Sequence, residues 1–379
     1  MSNVRRIGET FISDPPKELF LPEGFRFSHG QTIAPFTIVY ETFGELNEDR
    51  SNAILVCHAL SASAHAAGKY SDDPAEKPGW WDGLVGYGKA IDLDHYFVVC
   101  VNLPGSPFGT TAPKSIDPAT GKAYGSRYPW PTIEDMVESQ KIVLEHLGIE
   151  HLRAIAGGSL GGMQVLMWAA MYPGAADAII AMATGPAVPV TGVAWHILGR
   201  KIIETDQRFH GGDYYDDATL DGEPLRGLQV ARMLGHMTYL SAQSLQRKFG
   251  RRRRGNTRQF EIDSYFEHQG RKFAALYDAN SYVRVQAAMD EMDLEEQYGD
   301  LQSAFTRWRG HTLLVSFDTD WLFPPAESER VAAAMRALGV RVHHEEIASA
   351  NGHDTFLIDF PLIEGLVKDF LSESARPVR

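Results

Sequence analysis

The sequence predicts an α/β fold in which a mostly parallel sheet carries helices on both faces and a helical cap is inserted over one end. Two observations carry this reading. Short β-rich apolar runs at Ala53–Cys57, Tyr96–Val101, Arg153–Ala156, Ala178–Ala183 and Thr312–Phe317 alternate with helical patterns such as Ile133–Leu147 and Leu160–Tyr172, the rhythm of βαβ units. That rhythm stops after about Thr184 and resumes near Arg309, and the segment between is helical in pattern and rich in charges, aromatics and methionines. Residues 1–184 and 301–379 are therefore assigned to the sheet domain and 185–300 to the cap, with a last strand at Val340–Ile347 before a C-terminal helix. Ligand sites of such sheets lie beyond the carboxyl ends of the strands. The polar and glycine-rich residues just after each strand are the ones to follow.

Composition narrows the field. With 44% apolar and 22% charged residues over 379 positions, the chain is ordinary globular material, long enough for a large core and an inserted unit. The balance of 36 Lys and Arg against 49 Asp and Glu gives a net charge of −13, which argues against nucleic acid as the main partner. Cys57 and Cys100 each end an apolar run and read as buried thiols, not as a disulfide framework. The N-terminal residues Met1 to Glu9 lack the apolar core of a signal peptide, so the cytoplasm is the expected compartment. Ala178 to Trp195 carries no charge, but Gly185, Pro186, Pro189 and Gly192 interrupt it, and a buried strand running into a loop is expected there, with no membrane span. The histidines lack metal-type spacing, so no catalytic metal is expected.

The chemistry centres on Gly157-Gly158-Ser159-Leu160-Gly161, a G-x-S-x-G motif directly after a strand and directly before a helix. In that context the motif is a nucleophile elbow of the α/β-hydrolase fold, with Ser159 lifted above the sheet on a strained turn. A lone serine is a poor nucleophile, and this fold supplies an acid and then a base later in the chain. After the run ending at Phe317 come Asp318 and Asp320. Asp320 is preferred because it lies a few residues before the prolines that open the next helix, leaving Asp318 to brace the turn. His353 follows the last strand on a short polar loop beside Gly352 and is the expected base. The oxyanion would then be held by the N–H groups of Leu160, just after the nucleophile, and Leu60, in the loop after the early strand. His58 precedes the serine on that loop and is given a structural role.

Further segments extend this pattern: Cys57-His58-Ala59-Leu60, Pro78-Gly79-Trp80-Trp81-Asp82, Gly158-Ser159-Leu160-Gly161-Gly162-Met163-Gln164, Gly227-Leu228-Gln229-Val230-Ala231-Arg232, Asp278-Ala279-Asn280-Ser281-Tyr282 and Gly352-His353-Asp354. Together they resemble the homoserine O-acyltransferase family, α/β-hydrolase relatives that acylate homoserine from a coenzyme A thioester on the route to methionine. The resemblance implies that Arg232 binds the acceptor's carboxylate, Asp354 its ammonium group, and that Tyr239 lines the same pocket. It implies ping-pong acyl transfer, acetyl-CoA as a substrate with no bound cofactor, and a homodimer formed through the cap. An amino acid does need one fixed cation and one fixed anion, and a guanidinium grips a carboxylate bidentately.

Two features bear on specificity. Succinyl-using relatives carry an arginine after Asp-Trp, where this chain has Leu322; a distal carboxylate would find no partner there, which favours the acetyl donor. The turn Asn102-Leu103-Pro104-Gly105-Ser106-Pro107 resembles that of some members that acetylate serine, so homoserine and serine both stay open as acceptors. The basic run Arg251-Arg252-Arg253-Arg254 reads as a solvated turn of the cap, with steering of the phosphates of coenzyme A as the functional alternative. Rival readings are an ester or thioester hydrolase with the same triad, and a non-catalytic binding protein, which would be expected to have lost a triad member.

Overall fold

A computed structural model describes residues 10–216 and 225–374. The apolar runs form one eight-stranded sheet, with strands β1 (Lys17–Leu21), β2 (Phe36–Phe43), β3 (Ala53–Cys57), β4 (Phe97–Val101), β5 (Ala154–Gly158), β6 (Ala178–Met182), β7 (His311–Phe317) and β8 (Val342–Ile347) in the spatial order β1-β2-β4-β3-β5-β6-β7-β8. The first two strands are antiparallel to their neighbours, and all pairs from β4 to β8 are parallel. Strands β3 to β7 are buried at every position, as a parallel sheet covered on both faces requires. Alternation along β3 splits its residues between two cores: Ala53, Leu55 and Cys57 face one, Ile54 and Val56 the other.

Helices α1 (Ile133–His146) and α2 (Leu160–Met171) cover the first face. The second is covered by the long 58–96 connection and by the C-terminal helix over Glu364–Ser374. A capping box at Thr132 and Asp135 starts α1, satisfying two of the amide groups that a helix N-terminus leaves open.

Between β6 and β7 the chain leaves the sheet for a run of helices: α3 (Val190–Glu204), α4 (Arg226–Tyr239), α5 (Ala242–Lys248), α6 (Glu261–Ala274), α7 (Ala279–Glu291), α8 (Leu294–Tyr298) and α9 (Leu301–Phe305). Helix α9 packs on the helix over Pro325–Ala337 that follows β7.

One local expectation is corrected, and two further features were not read from the sequence. The expected loop after β6 is short, because Pro189 occupies the N-cap of α3 and the helix runs on through Gly192 and Trp195; proline breaks a helix interior but not its start. Helix α2 has no solvent face, since Leu160 through Ala170 are all buried, so Met163, Leu166, Met167 and Ala170 are one part of an all-round core. The antiparallel strands β1 and β2, absent from the sequence reading, extend the sheet on its N-terminal side. No helix among the described residues is long and apolar enough to cross a membrane.

The close approach of α2 to the end of β3 depends on Gly161, where a Cβ would stand 2.1 Å from the carbonyl oxygen of Cys57. Gly161→Ala is expected to cost about 1–3 kcal/mol through overpacking against backbone that cannot yield. Gly365→Ala, on the exposed first turn of the C-terminal helix with open space around it, is expected to add about 0.4–1 kcal/mol. Urea unfolding midpoints of the two variants should therefore move in opposite directions.

Candidate active site

Ser159 sits between β5 and α2 with φ 57° and ψ −124°. A left-handed backbone at a non-glycine residue costs about 1–3 kcal/mol and persists only when its surroundings hold it. Here the Ser159 N–H donates to the Met182 carbonyl at 2.9 Å and the Thr184 hydroxyl donates to the Ser159 carbonyl at 3.1 Å. The turn leaves the side chain at the carboxyl edge of the sheet. There Ser159 Oγ lies 2.8 Å from Nε2 of His353.

His353 stands on a turn after β8, and its Nδ1 lies 2.7 Å from Oδ2 of Asp320, after β7. The other carboxylate oxygen of Asp320 accepts the N–H groups of Leu322 at 2.9 Å and Phe323 at 3.0 Å. Both oxygens are thus engaged, which fixes the carboxylate plane and through it the imidazole. Asp318 faces elsewhere, accepting the Ser349 N–H at 2.8 Å, so it braces the two loops against each other. Burial works against the charged form of His353, but the charge and hydrogen bond of Asp320 outweigh it and hold the imidazole above its ordinary value.

The proposed oxyanion donors lie beside this trio. Leu160 is the first residue of α2, so its N–H has no partner within the helix. The Ala59–Leu60 peptide is gripped at its carbonyl by the Ala62 N–H at 3.0 Å and by Nδ1 of His58 at 2.9 Å. That turns the Leu60 N–H the opposite way. Burial lowers the pKa of His58 to about 4, so at neutral pH the ring is uncharged and its Nδ1–H is the donor.

A cavity of about 90 Å³ is lined by Leu60, Ser159, Arg232, Tyr239, Leu322, His353 and Asp354. Arg232, on α4, stacks its guanidinium over the rings of Tyr239 at 4.9 Å and Phe273 at 4.5 Å. Its Nε and Nη1 are buried and have no hydrogen-bond partner among the described residues. Buried donors of a permanent cation left unpaired are costly, and a carboxylate ligand would satisfy them. Asp354 heads a short helix yet makes no capping bond. Burial raises its pKa, while His353 and Arg232 pull the other way. Burial likewise raises that of Tyr239. Leu322 is buried and packs near Gly192 of α3, presenting no charge to the cavity.

Sequence reasoning missed His196, which lines the same cavity from α3. Its Nδ1 meets Asp290 at 2.5 Å, and Arg200 meets the other oxygen of Asp290 at 2.6 Å. The spacing of His196 and Arg200 puts both on one face of α3, but Asp290 lies 94 residues from His196, and no local pattern announces that pairing. Arg251 to Arg254 spend much of their potential on their own turn. Arg252 meets Glu261 and the Lys248 carbonyl, Arg253 meets the Arg258 carbonyl, and Arg251 and Arg253 stack on Phe260. Among the described residues no group of three or more His, Cys, Asp or Glu side chains could hold a metal ion. A larger groove of about 590 Å³, between the C-terminal ends of α1 and α2, opens at the opposite edge of the sheet.

Residues 52–360 match the α/β hydrolase fold family. A homoserine O-acetyltransferase of Deferribacter desulfuricans is 43% identical over 94% of this chain and 95% of its own length. A homoserine O-succinyltransferase of Paraburkholderia phymatum is 42% identical over 96% and 97%. Among solved structures, homoserine O-acetyltransferase from Bacillus anthracis superposes with a TM-score of 0.87 at 30% identity, covering 96% of this chain and 98% of that one. Esterase E22 follows at 0.85 and 27%, covering 94% and 99%. This chain belongs to the homoserine O-acyltransferase family of the α/β hydrolase fold.

Proposed function

We propose that the protein transfers the acetyl group of acetyl-CoA to the γ-hydroxyl of L-homoserine by a ping-pong mechanism, a step of methionine biosynthesis, with Ser159 as nucleophile, His353 as general base and acid, and Asp320 as the orienting acid. His353 takes the Ser159 proton as Oγ attacks the thioester carbonyl, and the oxyanion rests on the N–H groups of Leu60 and Leu160. Collapse expels the coenzyme A thiolate, which takes that proton, leaving acetyl-Ser159. The homoserine hydroxyl then gives its proton to His353 and attacks the ester, and Ser159 recovers the proton as it departs. No bound cofactor enters this scheme.

The observation that carries the reading is the buried guanidinium of Arg232, with two unpartnered nitrogens, in one cavity with Asp354 and Ser159. A hydrolase has no use for a zwitterion's two anchors, and this argues for transfer over hydrolysis despite the likeness to an esterase. Leu322 supports acetyl over succinyl, because a distal carboxylate desolvated against it would lack a counter-charge. A cytoplasmic homodimer joined through the cap accompanies the reading; Val190, Ile197 and Leu198 of α3 are exposed apolar residues that such a contact would cover.

Mixing the protein with acetyl-CoA and following free thiol tests the assignment. Release that requires L-homoserine, and is weaker with L-serine or with succinyl-CoA, is the expected result; release indifferent to any acceptor would mean hydrolysis. Arg232→Leu should raise the KM for homoserine by about 10- to 100-fold, the worth of a hydrogen-bonded charge pair, while acetylation of Ser159 persists. Because His353 must be neutral to accept a proton and Asp320 raises its pKa, kcat/KM should fall as pH drops through a value above about 6.5. Asp320→Asn should move that acid limb downward and lower kcat by about 10,000-fold, as loss of the orienting acid does elsewhere.

A further inference from the structure

Beneath the elbow lies a chain of buried amides that the mechanism does not use. Gln140 of α1 and Gln164 and Trp168 of α2 are all buried, with at most 2% exposure. The Trp168 indole N–H donates to Oε1 of Gln140 at 2.7 Å, and Nε2 of Gln140 donates to Oε1 of Gln164 at 2.6 Å. Nε2 of Gln164 then donates at 3.1 Å to both the His58 and the Leu160 carbonyls. An indole can only donate and a carbonyl can only accept. The two ends therefore fix the direction of every amide between them.

We propose that Gln164, oriented by Gln140 and Trp168, is a positioning residue that holds the two halves of the oxyanion hole at a fixed separation. The inference rests on the acyl-transfer reading above. The carbonyls it bridges each lie one peptide away from a proposed donor: His58 C=O precedes the peptide that carries the Leu60 N–H, and Leu160 C=O follows the one that carries the Leu160 N–H. These halves belong to different elements, the turn after β3 and the start of α2, which meet where Gly161 passes Cys57 O. The glycine permits the approach, and the amide three residues later on α2 sets its distance. A methionine would fill the same space without desolvating polar groups, so packing alone gives no reason for three of them here. Donors aimed at a developing charge act only if they are fixed beforehand, and small displacements cost large factors in rate.

The test compares Gln164→Met and Trp168→Phe with the parent enzyme, using acetyl-CoA and L-homoserine. Gln164→Met should lower kcat by about 10- to 100-fold, leave the KM for homoserine and the acid limb of the pH profile in place, and shift the infrared carbonyl band of the ¹³C-acetyl-enzyme to higher frequency as the ester loses polarisation. Trp168→Phe, which frees only the far end of the chain, should move the same quantities in the same direction by less. A kcat within about twofold of the parent's with an unmoved carbonyl band would overturn the inference, even if the unfolding midpoint fell. If Gln164→Met does not fold, Trp168→Phe decides by the same band. A parent protein that releases no thiol and forms no acetyl-enzyme would instead sink the acyl-transfer reading.

Discussion

The site depends on one strained residue. At φ 57° Ser159 ends a buried parallel strand and begins a buried helix without an intervening loop, so the hydroxyl, the first free N–H of α2 and the strand end are fixed by one backbone geometry. The strain is held by bonds from neighbouring strand ends, the Met182 carbonyl and the Thr184 hydroxyl, and by helix α2 being enclosed on all sides. A turn that could relax would cost the serine its approach to His353. The sheet and its two cores are, in this sense, the support of a single dihedral angle.

Buried polar groups fall into two classes around it. Asp320, the Gln140–Gln164–Trp168 chain and the Asp290 pair have partners within the protein. Such groups rigidify, because every donor and acceptor has one arrangement that satisfies it. Nε and Nη1 of Arg232, in the cavity, have no hydrogen-bond partner among the described residues. Unpaired charges kept near a nucleophile are expensive in a free protein, and that cost is what an oppositely charged ligand removes on binding. The contrast between these satisfied groups and the unpartnered nitrogens of Arg232 is the physical argument for an acceptor that carries a carboxylate.

The inserted helices supply what the sheet lacks. Arg232 and Tyr239 come from α4, His196 from α3 and Met289 from α7, and all line the cavity that opens on Ser159. A sheet edge alone would leave Ser159 open to water. Helices laid over it narrow the space to about 90 Å³, and in the proposed transfer such a space would favour a bound hydroxyl over bulk solvent.

The sequence by itself determined the strands β3 to β8, the elbow, the order serine, acid, histidine, and the glycine positions, because each is a local pattern: a run of apolar residues, a turn that tolerates no Cβ, a polar residue just past a strand. Strands β1 and β2 escaped it, and so did the start of α3 at Pro189, where a residue that reads as a breaker serves as a cap. What only the tertiary structure decided is pairing across long separations. Asp320 rather than Asp318 turns toward His353 because the N–H groups of Leu322 and Phe323 claim its other oxygen. His196 finds Asp290, and Gln164 spans residues 58 and 160, through contacts that no periodicity encodes. Hydrogen bonds between distant residues depend on where the elements come to rest, and that is settled by the packing of the whole core.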